Sequence, residues 1–479
     1  MTSDALPSSE RQLAPARPLP AVWIAIAAIA LVGLVLRLSA AAGDLWLDEI
    51  WSLDLVAGLT SIDQVFWRIN HDNNHMLNSA WLYVTGPDVS PLVHRAVSIV
   101  LGAATVIAAA AVTADRGRPT QLAASLLFAI SYPMVHYGSE ARGYSGLVLF
   151  TLLSVFCLER RLDHRGGAVA LAAAILFGFL SHLTMLGTVA MLVPWTAWLM
   201  LRRGDGPVRA CLGTIWAFLP PFLAILPLVL CIILGARAFG FEIGSTSPFS
   251  LDALISGYGG MIRHLFGVPS RTPEWALVLL VWCLVCVSAW RCPSRRTSLY
   301  VIGIVGLPVL MAQLRLPNLE FPRYFLASGA LVLLWAAEML GRGLDAAGWR
   351  RWLAALALTA IVFGSGVSLT LFHESGRGSY AKIVDRMTRE GPASYGAGND
   401  FRIAKVVSFF ARRHGRQAHR VETGDWCRKK PDWLIVEIRS EPAIPVERAP
   451  GCDLAYEHVE SIRAWGLSGV GWALYRKRI

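Results

Sequence analysis

Apolar stretches of bilayer-crossing length recur along the whole chain, and they constrain the fold before any motif is considered. Runs at 20–41, 93–114, 120–138, 144–158, 168–181, 184–201, 210–234, 274–290, 298–312, 322–340 and 352–372 are rich in Ala, Leu, Val and Ile and poor in charge. Hydrocarbon offers no water to backbone N–H and C=O groups, so runs of about 17–25 such residues fold as helices that satisfy those groups internally. About eleven transmembrane helices are therefore expected. The runs at 168–181 and 298–312 are short for a bilayer. The first run, followed by SAAAGD, has the form of a signal-peptide core. Arg37 interrupts it before the small residues, and we read it as an uncleaved anchor.

The net charge of +11 does not indicate a nucleic-acid partner, because the arginines lie in short clusters between apolar runs. Arg116 and Arg118, Arg160, Arg161 and Arg165, Arg202, Arg203 and Arg209, Arg291, Arg295 and Arg296, and Arg342, Arg350 and Arg351 occupy every second connection. Basic residues favour the cytoplasmic side, which places the N-terminus there too. Residues 1–19, polar and Pro-rich, are expected to be a disordered cytoplasmic segment. Residues 20–372 form the membrane domain, with a long external loop at 43–91, and residues 373–479 lie outside the cytoplasm of a multi-pass inner-membrane protein.

That tail differs in kind. DFRIAKVVSFFARRHG has helical periodicity, whereas PDWLIVEI, LAYEHVESI and GVGWALYRK read as strands. The fold class is thus an all-α polytopic membrane protein with a small C-terminal α/β domain. Eight cysteines give no metal-binding pattern, and CLVC at 283–286 reads as helix packing. Cys427 and Cys452 could pair if the tail is extracytoplasmic.

Polar residues collect in the external connections. LWLDEIWSL at 45–53 places Asp48 and Glu49 side by side among interfacial aromatics. HDNNH supplies His71, Asp72 and His75, and YGSEARGY supplies Glu140, Arg142 and Tyr144. His182, Arg263, His264 and the NLEFPRYF segment with Arg323 and Tyr324 complete the set. Together they describe a cavity on one face of the membrane, where charge is costly and marks function by default. The plainer alternatives are a solvated face for Asp48-Glu49, snorkelling for Arg142 and Arg323, and a satisfied core histidine for His182. His71 and His75, spaced i,i+4, permit a divalent metal with Asp48 without requiring one, and no cofactor is assigned.

LWLDEIWS after the first helix, HDNNHMLNSAWLY, VHRAVSIVLGAATVIAAAAV, SYPMVHYGSEARGYSGLVLF, LSHLTMLGTVAML and FPRYFLASGALVLL together resemble one family. It is the GT-C fold of polyprenyl-phosphate-dependent membrane glycosyltransferases, and nearest within it are the protein O-mannosyltransferases and lipid A aminoarabinose transferases. The resemblance covers residues 20–340 and departs at Asn73-Asn74, where the family has Pro-Pro. It implies Asp48 as catalytic base, with Glu49 as a second acid near the sugar or acceptor. On charge grounds the donor phosphate falls to Arg142 and Arg323, with Tyr324 beside them. His71, His75, Glu140, Tyr144, His182, Arg263 and His264 would line the substrate cavity.

The implied reaction moves a sugar from a polyprenyl-phosphate donor to an acceptor hydroxyl with inversion. Arginine suits the departing phosphate because its fork grips two oxygens, and a carboxylate in a partly dry cavity suits the proton. The acceptor could be protein, lipid or glycan. The rival readings are a transporter or flippase of lipid-linked sugars, which would place charges mid-span, and a non-catalytic scaffold.

Overall fold

The computed structural model describes residues 20–478 except 70, 72, 73, 243, 245, 398–400, 439–445 and 449–451. The expected disordered segment 1–19 and the candidate Asp72 lie outside the described residues. Among those described, seven helical segments are long and apolar enough to cross a membrane: Ala21–Ala40, Met185–Arg202, Pro207–Phe239, Glu274–Arg291, Arg295–Gln313, Pro322–Asp345 and a stretch beginning at Trp349. Ala96–Val112 and Ala168–Ser181 are shorter apolar helices, and helices Arg118–Ile130 and Tyr144–Leu162 pack among them.

Burial separates the centre of the bundle from its rim. The most apolar window of Pro322–Asp345 is 89% buried, against 17% for Pro207–Phe239. The rim helices turn Ile24, Trp216, Phe222, Trp290, Trp352 and Phe363 outward, as lipid-facing surfaces do.

The connections that the charge alternation assigns to one side do meet there. Arg295 pairs with Asp163 at 2.6 Å, and Arg296 with Glu159 at 2.6 Å and Asp115 at 3.4 Å. Tyr300 donates to Glu338 at 2.6 Å, and Arg342 pairs with the same carboxylate at 3.3 Å.

At the other end, the 43–91 loop folds into helices Leu47–Ala57 and Met76–Thr85 joined through a 3-10 turn, Ile62–Phe66. The connection at 235–273 contains helix Leu251–Phe266. Ser250 caps it by accepting from the Ala253 amide at 3.0 Å. Leu254, Tyr258, Met261, Ile262 and Leu265 form its buried stripe. Gly257 belongs in that helix because a Cβ there would meet the Leu319 carbonyl at 1.9 Å.

The C-terminal region builds one six-stranded sheet. Its strands are β1 (Ala393–Gly396), β2 (Ala418–Arg420), β3 (Trp433–Ile438), β4 (Val446–Arg448), β5 (Ala455–Ile462) and β6 (Gly471–Lys477), in the order β2-β1-β3-β6-β5-β4. β1 runs parallel to β2 and β3, with helix Phe401–Arg413 crossing between β1 and β2, and the remaining pairs are antiparallel. Cys427 and Cys452 form a disulfide with Cα atoms 5.4 Å apart. The sheet is joined to the membrane end by helix Phe401–Arg413, which packs on Leu47–Ala57 and carries Lys405 to Asp54 at 2.7 Å. It is joined again by the loop between β5 and β6, where Trp465 lies 5.0 Å from the ring of Tyr132.

Candidate active site

The two adjacent acids of LWLDEIWSL part company in the fold. Helix Leu47–Ala57 starts at this point, so Asp48 and Glu49 project about 100° apart. Glu49 turns inward and is fully excluded from solvent. Arg95, equally buried, grips it with Nε at 2.8 Å and Nη2 at 2.6 Å. The amides of Ala141 (2.7 Å) and Trp46 (3.1 Å) donate to the same carboxylate. Burial pushes the Glu49 carboxyl up, but the charge and hydrogen bonds of Arg95 outweigh it and leave it below its ordinary value. Both of its oxygens are thus occupied by the protein, which does not suit the expected place beside the sugar.

Asp48 faces the other way and keeps a quarter of its side chain exposed. Its Oδ2 is paired with Arg142 Nη1 and lies 3.6 Å from Arg323 Nη1. The structure thus brings together one carboxylate and two guanidiniums from three distant segments. Arg142 lies 5.3 Å from the Tyr144 ring centroid, and Arg323 lies 4.4 Å from Phe321 and 5.7 Å from Tyr324.

Arg142 is held through its backbone. Ser98 donates to the Arg142 carbonyl at 2.6 Å and Asn78 to the Ala141 carbonyl at 2.5 Å, while Glu49 receives the Ala141 amide. Gly143 makes this possible, because a Cβ there would meet the Ser181 carbonyl at 1.5 Å.

The aromatic wall behind these charges is continuous. Tyr144 stacks on His182 at 4.9 Å, and His182 faces His75 at 6.3 Å. His75 Nε2 lies 3.0 Å from Ser52 Oγ, which in turn donates to the Asp48 carbonyl at 2.8 Å. Burial, reinforced by the Arg142 and Arg323 charges, pulls His182 down to about 3. Burial and Arg142 likewise hold His75 well below its ordinary value. Both rings are therefore neutral near pH 7.

The other candidates lie apart from this group. His71 packs against Trp51 at 5.1 Å and forms an isolated β-bridge with Glu242. Arg263 is tied to Glu274 at 2.6 Å and to the Thr272 carbonyl at 2.7 Å, and His264 lies beside Tyr132 and Trp465. Glu140 is fully buried against Arg377 (3.2 Å) and His136 (3.1 Å), not open to a cavity. Among the described residues, no three His, Cys, Asp or Glu side chains are grouped to hold a metal ion. A cleft of about 580 Å³ opens nearby between Asp44 and helix Tyr380–Met387, and neither Asp48, Arg142 nor Arg323 lines it.

Sequence reasoning missed Arg95 and Arg377. Arg95 carried a signal, a lone arginine opening an apolar run. Arg377 carried none, because its partners lie more than 200 positions away.

No protein-family model matches the chain, and no curated protein sequence matches it. Solved structures do resemble it. The oligosaccharyltransferase of Archaeoglobus fulgidus in the apo form aligns with a TM-score of 0.52 at 10% identity, over 83% of this chain and 64% of that one. In that alignment the chain spans just under two thirds of the archaeal enzyme's length. The same enzyme in complex with an inhibitory peptide and a dolichol-phosphate aligns at 0.50 and 10% identity, over 87% of this chain and 69% of that one. ArnT from Cupriavidus metallidurans in the apo state aligns at 0.50 with 13% identity, over 95% of this chain and 98% of that one. These likenesses show the fold: the chain has the GT-C architecture that its motifs resemble.

Proposed function

We propose that this GT-C chain is an inverting glycosyltransferase. It moves a sugar from a polyprenyl-phosphate donor to an acceptor hydroxyl at the outer face of the cell membrane. The observation that carries this reading is the Asp48 carboxylate held between Arg142 and Arg323. Two arginines converging on one anionic oxygen form a ready site for a phosphate, and Asp48 occupies it as the resident anion. When the donor phosphate takes its place, Asp48 is released to act as a base.

The step then balances. The acceptor oxygen attacks the anomeric carbon and its proton passes to Asp48. The bond from that carbon to the phosphate oxygen breaks, and polyprenyl phosphate leaves with the electron pair, its charge met by Arg142 and Arg323. A single displacement inverts the anomeric centre. Tyr324 flanks the phosphate side, and Tyr144, His75 and His182 form the wall against which Arg142 is set. Glu49 supports the site by fixing Ala141 and does not react.

The archaeal relative in fold has been solved with a dolichol-phosphate, which supports a lipid-linked donor and placement in the bilayer. The disulfide supports an extracytoplasmic location for residues 373–479, and the Arg-rich connections meet at the opposite end, as an N-terminus in the cytoplasm requires. Residues 20–372 then form the catalytic membrane unit. The acceptor class is protein, lipid or glycan.

The test is donor consumption by wild type and Asp48→Asn in membranes, across a panel of radiolabelled polyprenyl-phosphate sugars. Wild type should consume one donor, and Asp48→Asn should bind that donor without consuming it. Equal consumption by both would remove Asp48 as the base.

A further inference from the structure

We propose that Arg377 and Ser468, contributed from beyond the membrane helices, are positioning residues for Arg142, so that the C-terminal sheet completes the donor site. This rests on the reading of Arg142 as a phosphate ligand.

The carboxylate of Glu140, two residues before Arg142, is fully buried. It accepts from Arg377 Nε at 3.2 Å and from Ser468 Oγ, with His136 Nε2 at 3.1 Å. The Arg377 fork does more than neutralise it. Nη2 donates to the His136 carbonyl at 2.8 Å and to Ser139 Oγ at 3.1 Å, and Nη1 donates to the Ala40 carbonyl at 3.2 Å. One planar side chain therefore ties the end of the first helix to the turn that leads into Arg142, in a geometry a lysine cannot reproduce.

Ser468 arrives on the loop between β5 and β6, and that loop is itself pinned. The Trp465 amide donates to the Gly376 carbonyl at 3.0 Å, and the Val470 amide to Tyr380 Oη at 2.9 Å. Gly469, at φ +96°, lets the loop pass so close that a Cβ would meet the Arg377 carbonyl at 2.1 Å.

Arg142 is thus bracketed on both sides. Glu49, Asn78 and Ser98 hold residues 141–142 from the membrane side, and Arg377 and Ser468 hold 136–140 from the C-terminal side. Simple docking of a sheet is served by apolar contacts, such as those of Trp465 on Tyr132. A fully desolvated ion pair is a poor source of stability and a good source of register. Its place beside Arg142 matters because a shift of about 1 Å in a clamping residue costs on the order of 100-fold in rate.

The experiment uses the full chain in nanodiscs, with Arg377→Met, Arg377→Lys and Ser468→Ala. It reads two quantities: amide hydrogen exchange over 136–143, and affinity for undecaprenyl phosphate alone. Arg377→Met should speed exchange in 136–143 and weaken the lipid phosphate about tenfold or more, Arg377→Lys should restore only part of each, and Ser468→Ala should act in the same direction more weakly. Exchange unchanged over 136–143 in all three variants would overturn the proposal, as would faster exchange with unaltered affinity in a wild type that binds. Ser468→Ala keeps the test valid if Arg377→Met does not fold. A wild type that binds no undecaprenyl phosphate would overturn the donor role of Arg142, and with it the proposal's claim on the donor site. The exchange data would still decide whether Arg377 and Ser468 brace the segment.

Discussion

Glu49 and Arg95 close a two-pronged pair at 2.8 and 2.6 Å with neither side chain exposed, while Asp48, one residue earlier, remains partly open between two arginines. Adjacent acids therefore sit in different environments. Removing Glu49 strands a buried guanidinium, so Glu49→Ala should cost about 3–5 kcal/mol of stability. Asp48→Asn should change stability little while abolishing donor consumption. Thermal unfolding in detergent, set beside turnover, separates the two.

Arg142 and Arg323 should each matter most as charge develops on the leaving phosphate. Replacing either by Ala should lower kcat/KM for the donor by about 10²–10³-fold, as loss of one preorganised donor does elsewhere. Lysine should recover charge but not the fork, leaving a partial defect. Steady-state kinetics with the identified donor provide the check, and a loss under tenfold at both positions would remove them from the phosphate site.

His182 makes stability pH-dependent. Its folded pKa of about 3 lies below the ordinary histidine value, so the unfolded chain binds the proton first as pH falls. Stability should therefore be full above about pH 6.5 and decline from there toward pH 3. His182→Gln should flatten part of that decline, read as the melting temperature from pH 8 to pH 5. An identical slope in the variant would mean that other groups set it.

Gly143 is where the packing leaves no room. A single methyl would collide with the Ser181 carbonyl and approach His75 Cβ at 2.9 Å. Gly143→Ala should cost about 1–3 kcal/mol by overpacking and should displace Arg142 with it. The expected readout is a lowered melting temperature together with weaker donor binding. Gly58→Ala, at a position with open space, is the control.

The sequence was most informative where chemistry and topology coincide. Asp48, Arg142 and Arg323, which the structure brings together, were singled out because charges at membrane depth are few and costly. Their neighbour Glu140 was assigned to the same cavity on the same grounds. It went elsewhere because Arg377 and Ser468, 237 and 328 positions away, meet it, and no local pattern encodes such contacts. Helix Leu251–Phe266 carries Gly257, Gly259 and Gly260, which weaken a helical pattern in the sequence. Gly257 and Gly259 in fact allow close backbone approach, to Leu319 and Glu274. Strands β3, β5 and β6 were legible in the sequence, but β1, β2 and β4 are short, and the order β2-β1-β3-β6-β5-β4 depends on pairings between distant segments.

The brace on Glu140 also carries a consequence for biosynthesis. Ser468 is translated 328 positions after the carboxylate it meets. The helices and the turn at 136–143 have left the ribosome long before their partner exists. Until β6 pairs with β5 and draws the intervening loop against Arg377, the nascent chain lacks the Ser468 contact to Glu140. On the proposed positioning role of Arg377 and Ser468, the donor site is completed with the sheet and not on insertion of the bundle.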